Sequence, residues 1–182
     1  MKKCKRGAFY IASMGKEDLP AVLAVENLSF PSPWSGTLFL NELENPNSRI
    51  HLVQERREDC FTTAGHICFW LVTDEIHILN LAIHPSYRRN GLAQSLLIHT
   101  LTYSLKRKIE KAILEVREYN QPARSLYEKL GFQQIGIRLN YYQDTGENAL
   151  VLERDLTSIT PEMLGEAGCG WDFFFLPCPS RA

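Results

Sequence analysis

A basic turn with one glycine separates an apolar stretch from a helical pattern near the middle of the chain. The turn runs from Arg88 to Ala93, after the apolar stretch from Ile76 to Ile83, and leucines spaced for one helix face follow it. Such a turn exposes backbone N–H groups at the positive end of the helix dipole, where an anion binds well. Gly91 permits close approach of the backbone, and the arginines add charged donors. The pattern favours a phosphate or pyrophosphate site; the alternative is an ordinary loop with solvated arginines.

A lone carboxylate interrupts the next apolar segment, Ala112 to Val116. Glu115 stands between Leu114 and Val116, so in a strand its side chain points to the opposite face from theirs. A carboxylate in this position is ordinarily a solvent-facing group or an ion-pair partner, and Arg117 is the nearest candidate partner. Its isolation among apolar neighbours makes it a candidate for chemistry.

A helix-capping residue and an aromatic residue follow this segment. Asn120, with Pro122 two residues later, suits the start of a short helix. Tyr127 falls on the apolar side of that helix, which ends at Gly131. The ordinary fate of such a tyrosine is burial in the core with its hydroxyl reaching water.

Together these segments resemble the GCN5-related N-acetyltransferase (GNAT) family. The resemblance rests on the Arg-x-x-Gly-x-Ala turn, on Asn120, and on the runs Leu114-Glu115-Val116-Arg117 and Leu126 to Phe132. Within the family, Pro33-Trp34-Ser35 and the run from Arg138 to Tyr142 are similar to the bacterial enzymes that acetylate the N-terminal alanine of ribosomal protein S18. The similarity extends over roughly residues 11 to 156.

The resemblance implies acetyl-CoA as cosubstrate and indicates which residues bind it. The pyrophosphate is assigned to the backbone of the turn, at Arg89, Asn90, Gly91, Leu92, Ala93 and Gln94. The pantetheine arm is assigned to the backbone of Leu81, Ala82 and Ile83, where an N–H acts as oxyanion donor to the thioester. Asn120 is expected both to cap its helix and to contact CoA.

The same resemblance implies direct acetyl transfer to an amine, without an acyl-enzyme. Glu115 becomes the general base that takes the amine proton, directly or through a water, and such help is worth about 10²–10⁴ in rate. Tyr127 becomes the acid that protonates the leaving thiolate. A pKa of ~8.5 for a thiol against ~10 for a phenol makes this proton transfer modestly uphill.

The basicity of the acceptor amine favours a protein N-terminus over a lysine. At pH 7 an α-amine is about one-tenth neutral, whereas a lysine is neutral in about one molecule in two thousand five hundred.

Trp34, Tyr141 and Tyr142 resemble a peptide-binding wall; the alternative is that they are core or rim aromatics. The predicted function is therefore Nα-acetylation of a protein N-terminus, with ribosomal protein S18 as first candidate. The rivals are an acetyltransferase for a lysine or small amine, and a non-catalytic acyl-CoA sensor.

Composition limits the class of protein. The chain of 182 residues is 45% hydrophobic and 23% charged, which predicts one soluble globular domain. Its net charge of −1 gives no reason to expect nucleic-acid binding, and its apolar runs are too short for a membrane span or a signal peptide. Five cysteines without Cys-x-x-Cys spacing predict reduced thiols in the cytoplasm and no metal site.

The periodicity predicts an α/β fold, with a mixed, partly parallel central sheet flanked by helices and splayed strands around the acetyl-CoA site. Between Ile76 and Ile83 the apolar positions change from even to odd. This change predicts a β-bulge, unless the strand is buried on both faces. The predicted helices include Lys16 to Leu28 and Thr37 to Leu43, and the other predicted strands are Phe9 to Ser13, Ile50 to Gln54, Thr62 to Val72, Ala112 to Val116, Ile135 to Tyr142 and Ala149 to Leu156.

An aromatic-rich extension is predicted after the acetyltransferase domain. The domain is expected to span residues 1–156 and the extension residues 157–182. Trp171 and the run from Phe173 to Leu176 are too apolar to be left in water. We expect this run to dock on its own domain or on a neighbouring copy in a homo-oligomer; the alternative is a frayed end.

Overall fold

Strands and helices alternate along the chain and form one mixed sheet with helices on both faces. The computed structural model describes residues 8–57, 60–160, 163–164 and 174–175. Within them the strands are β1 (Ala8–Ser13), β2 (Ser48–Arg57), β3 (Cys60–Val72), β4 (Glu75–Ile83), β5 (Lys111–Arg117), β6 (Gln133–Tyr142), β7 (Glu147–Asp155) and β8 (Phe174–Phe175). The helices are α1 (Leu19–Ser29), α2 (Gly36–Glu44), α3 (Leu92–Leu105) and α4 (Gln121–Lys129). The strand order is β6-β7-β5-β4-β3-β2-β1-β8, and the predicted fold class is confirmed.

The two faces of the sheet bury two separate sets of apolar side chains. Successive residues of β3 divide between them, because side chains alternate along a strand. Ile67 and Phe69 pack with the leucines of α3, whereas Cys68 packs with side chains of α1 and α2. The leucines that the helical pattern placed on one face of α3 are fully buried, namely Leu92, Leu96, Leu97 and Leu101.

The first helix begins later than the predicted Lys16. A 3₁₀ turn covers Lys16–Asp18, and α1 starts at Leu19 with Pro20 in its first turn. Proline suits that position because it has no backbone N–H to donate and its φ is already helical. The helix ends at Ser29, since Phe30 is extended, as the residue before a proline prefers to be.

The predicted bulge in β4 is confirmed. Cys68 of β3 pairs with Asn80 and Phe69 pairs with Ile78, so Leu79 is the extra residue. The parallel pairing of β4 with β5 begins at Glu75–Lys111 and stops at Ile78–Leu114. The two strands therefore separate at the bulge, which leaves one backbone edge of β4 unpaired with β5 beyond Ile78.

Two helical crossovers bring β4, the end of β5 and the β6–β7 hairpin close to one another. Helix α3 joins the parallel strands β4 and β5, and α4 leads from β5 to the β6–β7 hairpin. Strand β7 lies between β5 and β6 and is antiparallel to both. The chain just after β5 consequently meets the hairpin turn, where the Glu118 N–H donates to the carbonyl of Asn148.

Part of the C-terminal extension pairs with the edge of the sheet. Phe174 and Phe175 lie parallel to β1, opposite Tyr10 and Ile11. Trp171, Phe173 and Leu176 lie outside the described residues, as do Glu58 and Asp59 of the predicted β2–β3 turn. The domain boundary after residue 156 stays a prediction.

In the part of the chain that the structure describes, every helix is too short or too polar to cross a bilayer.

Candidate active site

A cavity of about 750 Å³ opens where β4 and β5 separate. We call its first side the helix-side wall, formed by α1, the loop after α1, and the bulge of β4; it includes Glu26, Trp34, Asn80 and Leu81. The second side is the hairpin-side wall, formed by the end of β5 and the β6–β7 hairpin; it includes Glu115, Arg117, Tyr141, Tyr142 and Asp144. Asn120 and Tyr127 also belong to the lining, so catalytic and substrate-wall candidates from four segments face one space.

Some of the predicted site residues lie outside this lining. Trp34, Leu81, Glu115, Asn120, Tyr127, Tyr141 and Tyr142 line the cavity. Ala82, Ile83 and the turn from Arg89 to Gln94 are not part of the lining. The side chains of Ala82 and Ile83 are buried, so only their backbone can serve a ligand, as the prediction requires.

Glu115 lines the cavity from β5, a strand in which buried and partly exposed residues alternate. Leu114 and Val116 are buried on the opposite face, as the alternation predicted. The Nη2 atom of Arg138 lies 3.0 Å from Oε1 of Glu115, and the two side chains are 57% and 25% exposed. The sequence had suggested Arg117 as the ion-pair partner, but that guanidinium turns toward the hairpin and bonds Asp144 instead. Glu115 thus faces the cavity as a carboxylate whose ion pair is open to solvent.

Tyr127 lies in the last turns of α4 with only 7% of its surface exposed. Its ring packs edge-on against Phe132, with centroids 5.8 Å apart. Burial raises the pKa of its phenol, and the neighbouring phenol of Tyr142 raises it further. The hydroxyl therefore keeps its proton near neutral pH and can donate it to an atom in the cavity. The raised pKa also makes proton transfer to a thiolate more uphill than it is from an ordinary phenol.

Asn120 is the N-cap of α4. Its side-chain oxygen accepts a hydrogen bond from the N–H of Ala123 at 3.3 Å, with Pro122 in the first turn. The predicted cap is confirmed. Asn120 also lines the cavity, and its predicted contact with CoA stays a prediction.

Gly91 has a left-handed backbone conformation at the turn where the sequence predicted an anion site. It precedes α3 with φ 79° and ψ 0°, in the left-handed region that glycine adopts without strain. The side chain of Arg88 is engaged within the protein, since its Nε donates to the carbonyl of Ile83 at 3.0 Å. Gln94 accepts from Nζ of Lys129 at 3.1 Å. The side chains of Arg88 and Gln94 are thus held by contacts within the protein.

The hairpin-side wall is held by a network of exposed or half-exposed charges. Nη2 of Arg117 donates to Asp144 at 2.7 Å, and Oγ of Ser32 donates to the same carboxylate at 2.8 Å. The Arg117 guanidinium lies 3.9 Å from the ring centre of Tyr142. Burial raises the pKa of Tyr142 to about 12, and the hydrogen bond from Arg117 lowers the pKa of Asp144. Tyr141 packs edge-on against Tyr142, which leaves both aromatic rings at the cavity.

Comparison with known proteins identifies the family. The sequence profile of the Acetyltransferase (GNAT) family matches residues 19–132, from α1 to the residue before β6. The chain belongs to this family. The matched segment contains the glycine turn, Glu115 and Tyr127, and the chain is an N-acetyltransferase.

Bacterial N-acetyltransferases match most of the chain. The [ribosomal protein bS18]-alanine N-acetyltransferase of Escherichia coli (strain K12) is 34% identical over 144 residues, which are 78% of this chain and 94% of that protein. A Bacillus subtilis (strain 168) protein that carries the same name provisionally is 37% identical over 143 residues, covering 78% and 92%. The crystal structure of the Escherichia coli ribosomal-protein-S18-alanine N-acetyltransferase superposes with a TM-score of 0.74 at 31% identity, covering 83% of this chain and 96% of that one.

A plant member of the fold has been crystallised with the cosubstrate. Arabidopsis thaliana NAA60 in complex with acetyl-CoA superposes with a TM-score of 0.74 at 16% identity, over 83% of this chain and all of that one. This likeness concerns the fold alone. It agrees with the mixed sheet and flanking helices of the present N-acetyltransferase.

Two polar residues of this acetyltransferase's cavity were missed by the sequence analysis. Glu26 and Asn80 are buried, line the cavity, and are 3.0 Å apart between Oε1 and Nδ2. A signal was available for each of them. Glu26 follows Val22 by four residues, on the apolar side of α1, and Asn80 stands between two leucines in β4. Their contact spans 54 residues of sequence, which no local pattern reveals.

Proposed function

We propose that this chain transfers the acetyl group of acetyl-CoA directly to the α-amine of a protein N-terminus, with the N-terminal alanine of ribosomal protein S18 as substrate. The observation that carries the proposal is the single cavity in which Glu115 and Tyr127 face the unpaired stretch of β4. The names of the relatives in Escherichia coli and Bacillus subtilis support this choice of substrate. A ribosomal substrate would place the reaction in the cytoplasm.

The cosubstrate would run from the glycine turn to the cavity. Backbone N–H groups from Arg89 to Gln94 would bind the pyrophosphate, as an anion at a helix N-terminus is bound. The pantetheine amides would pair with the backbone of β4 from Leu81 onward, where pairing with β5 has ended. In the antiparallel ladder with β3 the His84 N–H donates to the carbonyl of Ala64, so by alternation Ala82 pairs with His66, and Leu81 and Ile83 point their backbone groups to the open side. The carbonyl of Ile83 already accepts from Arg88, so the backbone groups of Leu81 are the better candidates there. An N–H of this stretch would stabilise the oxyanion.

The chemistry needs one proton acceptor and one proton donor. Glu115 would take a proton from the α-ammonium, directly or through a water, and the freed amine would attack the thioester carbon. The new C–N bond forms as the C–S bond breaks, and Tyr127 would give its proton to the departing sulfur. The nitrogen would then lose its second proton through water to the Tyr127 phenolate, and Glu115 would release its proton to solvent, which restores both side chains. Arg138 would have to move from Glu115 as the ammonium arrives, and the exposure of that ion pair makes such a movement inexpensive.

The aromatic side chains of both walls would hold the first residues of the substrate. Trp34 lies on the helix-side wall, and Tyr141 and Tyr142 lie on the hairpin-side wall. Aromatic rings provide large contact area with little loss of conformational freedom. An extended N-terminal peptide would fit between such walls better than a small amine, which could not contact both of them.

A peptide panel with mass detection tests the proposal. The protein is incubated with acetyl-CoA and three peptides: the S18 N-terminus, the same peptide with a blocked N-terminus and an internal lysine, and the same peptide with a different first residue. We expect acetylation of the first peptide well above the others. Preference for the lysine peptide or for a free small amine would replace the proposed acceptor class. Acetyl-CoA binding without any product would instead indicate an acyl-CoA sensor.

A further inference from the structure

A carboxylate is completely buried beside the cavity, in a helix that is otherwise apolar on that side. Glu26 of α1 has no exposed surface, and the other buried residues of this helix are Val22 and Val25. Removing a charge from water costs several kcal/mol unless hydrogen bonds and opposite charges replace the water. The contacts of Glu26 must therefore supply the hydrogen bonds that replace water around its carboxylate.

Three groups from three other segments surround this carboxylate. Its Oε1 accepts from the backbone N–H of Trp34 at 2.9 Å and from Nδ2 of Asn80 at 3.0 Å. Its Oε2 lies 3.1 Å from Nε2 of His66, outside good hydrogen-bond geometry. His66 is itself completely buried, and its ring packs edge-on against Phe39 of α2. One side chain thus connects α1, the loop after α1, β3 and the bulge of β4.

The two groups that donate to Oε1 of Glu26 belong to the acceptor side and the thioester side of the site, which must lie close together for the reaction. Trp34 is in the loop that supplies the aromatic part of the helix-side wall, where the acceptor amine would enter. Asn80 is the residue between the bulged Leu79 and Leu81, where the thioester would lie. Because both donors share one oxygen atom, the Glu26 carboxylate fixes the separation of that loop from the bulge.

We propose that Glu26 is a positioning residue for acetyl transfer, which holds the substrate-binding loop at Trp34 in register with the bulge of β4. This inference rests on the proposed function, because it assigns the loop to the acceptor and the bulge to the thioester. Misplacement of reacting groups by about an ångström can lower a rate by about 10²-fold. Loss of the bridge should therefore act on kcat, and it should leave binding at the distant glycine turn intact.

The chain offers a matched control in a second buried carboxylate. Glu42 of α2 is 7% exposed and accepts from Nε1 of Trp70 at 2.6 Å. It does not line the cavity. Replacing either glutamate by alanine removes a buried acceptor and leaves a donor unpaired, so both variants should lose stability. Only the change at Glu26 should alter the relation of Trp34 to Asn80.

Steady-state kinetics and amide exchange test the proposal together. For the full chain we expect Glu26→Ala to lower kcat for the S18 peptide by about tenfold to 10²-fold, with an unchanged Kd for acetyl-CoA. Glu26→Gln keeps an oxygen for the two donors of Oε1 and should restore most of kcat. Glu42→Ala should keep the wild-type kcat per folded molecule. Hydrogen exchange at the Trp34 amide should accelerate in Glu26→Ala and not in Glu42→Ala.

The outcomes separate this inference from the proposed function. A wild-type protein that acetylates no amine would overturn the proposed function. An active wild type with an equally active Glu26→Ala, or equal kcat losses in Glu26→Ala and Glu42→Ala, would overturn this inference alone. If Glu26→Ala does not fold, Asn80→Ala breaks the same bridge from its other end. An unchanged kcat in that variant would also overturn the inference.

Discussion

The two walls of the cavity are built by different kinds of interaction. The helix-side wall is fixed from inside the protein, where the buried carboxylate of Glu26 accepts hydrogen bonds from the backbone N–H of Trp34 and the side-chain amide of Asn80. The hairpin-side wall is held at the surface, where Arg117 bonds Asp144 and Arg138 pairs with Glu115. One hydrogen bond, from Ser32 to Asp144, joins the two walls across the cavity.

The two walls differ in the free energy that their interactions contribute and in how those interactions respond to salt. A hydrogen bond to a buried charge contributes about 1.5–3 kcal/mol, and breaking it leaves an unsatisfied group that cannot reach water. An exposed ion pair contributes about 0–1 kcal/mol and weakens as salt is added. The side of the cavity nearest β4 should therefore stay fixed, while the hairpin can yield to an arriving peptide. The difference assigns rigidity to the helix-side wall, which carries the thioester stretch of β4 and the Trp34 loop, and adaptability to the hairpin that closes on the peptide.

The largest expected effect tests whether the hairpin-side carboxylate does chemistry at all. Glu115→Gln removes the base and should lower the rate of transfer by about 10²–10⁴. Acetyl-CoA affinity should stay as in the wild type, because Glu115 faces the acceptor. The loss should be most severe at pH values below the pKa of the amine, where almost every acceptor arrives protonated. Rates are measured against pH for both proteins.

The control for this change is a neighbouring carboxylate that does not line the cavity. Glu118 accepts from the amide of Asn148 near the hairpin, and Glu118→Gln should keep the wild-type pH–rate profile. If Glu115→Gln also keeps that profile, Glu115 is an ion-pair partner of Arg138 and nothing more.

The second effect tests the buried acid. Tyr127→Phe keeps the apolar packing against Phe132 and removes only the hydroxyl. We expect a loss of turnover near the lower end of the 10²–10⁴ range for general acids, because the raised pKa already makes this donor weak. The melting temperature should change little. A variant with a lower melting temperature and an unaffected rate would make Tyr127 an ordinary core residue.

The part of the site that local pattern could predict is the part built by neighbours in sequence. The change of phase around Leu79 predicted the bulge, because side-chain alternation is a local property. Glu115 was predicted to face away from its neighbours for the same reason. The cap at Asn120 needs only the residues that follow it.

Long-range partners were beyond the reach of the sequence. Arg138 of β6 reaches Glu115 of β5 across the strand β7 that lies between them, and periodicity does not encode this strand order. The bond from Ser32 to Asp144 spans 112 residues. The family resemblance supplied the catalytic and aromatic candidates, but not the charges that hold them in place.

The third prediction concerns the glycine turn before α3, which belongs to neither wall and would bind the cosubstrate. Gly91→Val should weaken acetyl-CoA binding strongly, because a β-branched side chain both blocks the anion and resists a φ of 79°. Gly91→Asn separates the two causes, since asparagine tolerates the left-handed conformation. We expect weaker binding in both variants by calorimetry, and a lower melting temperature mainly in the valine variant. Wild-type affinity in Gly91→Asn would mean that the turn needs glycine only for its backbone conformation.

The smallest effect tests the adaptable wall itself. Asp144→Asn removes the charge that Arg117 and Ser32 share, in a position open to solvent. The pKa of Asp144 is lowered by Arg117, so its contribution to stability is complete at neutral pH and is lost only as the pH falls through that lowered pKa. At neutral pH we expect a rise of a few-fold in the KM for the peptide with kcat unchanged, because an ion pair open to solvent holds the hairpin only weakly.

Salt should remove this small effect if the hairpin is held by surface charge. Added salt screens Asp144 from Arg117, so the KM of the wild type should rise toward that of Asp144→Asn at about 1 M ionic strength, where the screening length is about 3 Å. The control is Glu44→Gln, which breaks an exposed ion pair with Lys16 that lies outside the cavity lining and should leave KM unchanged at every salt concentration. A kcat that falls while KM rises in Asp144→Asn would mean that the hairpin positions the reacting groups as the buried wall does. The contrast between a fixed helix-side wall and a yielding hairpin-side wall would then be wrong.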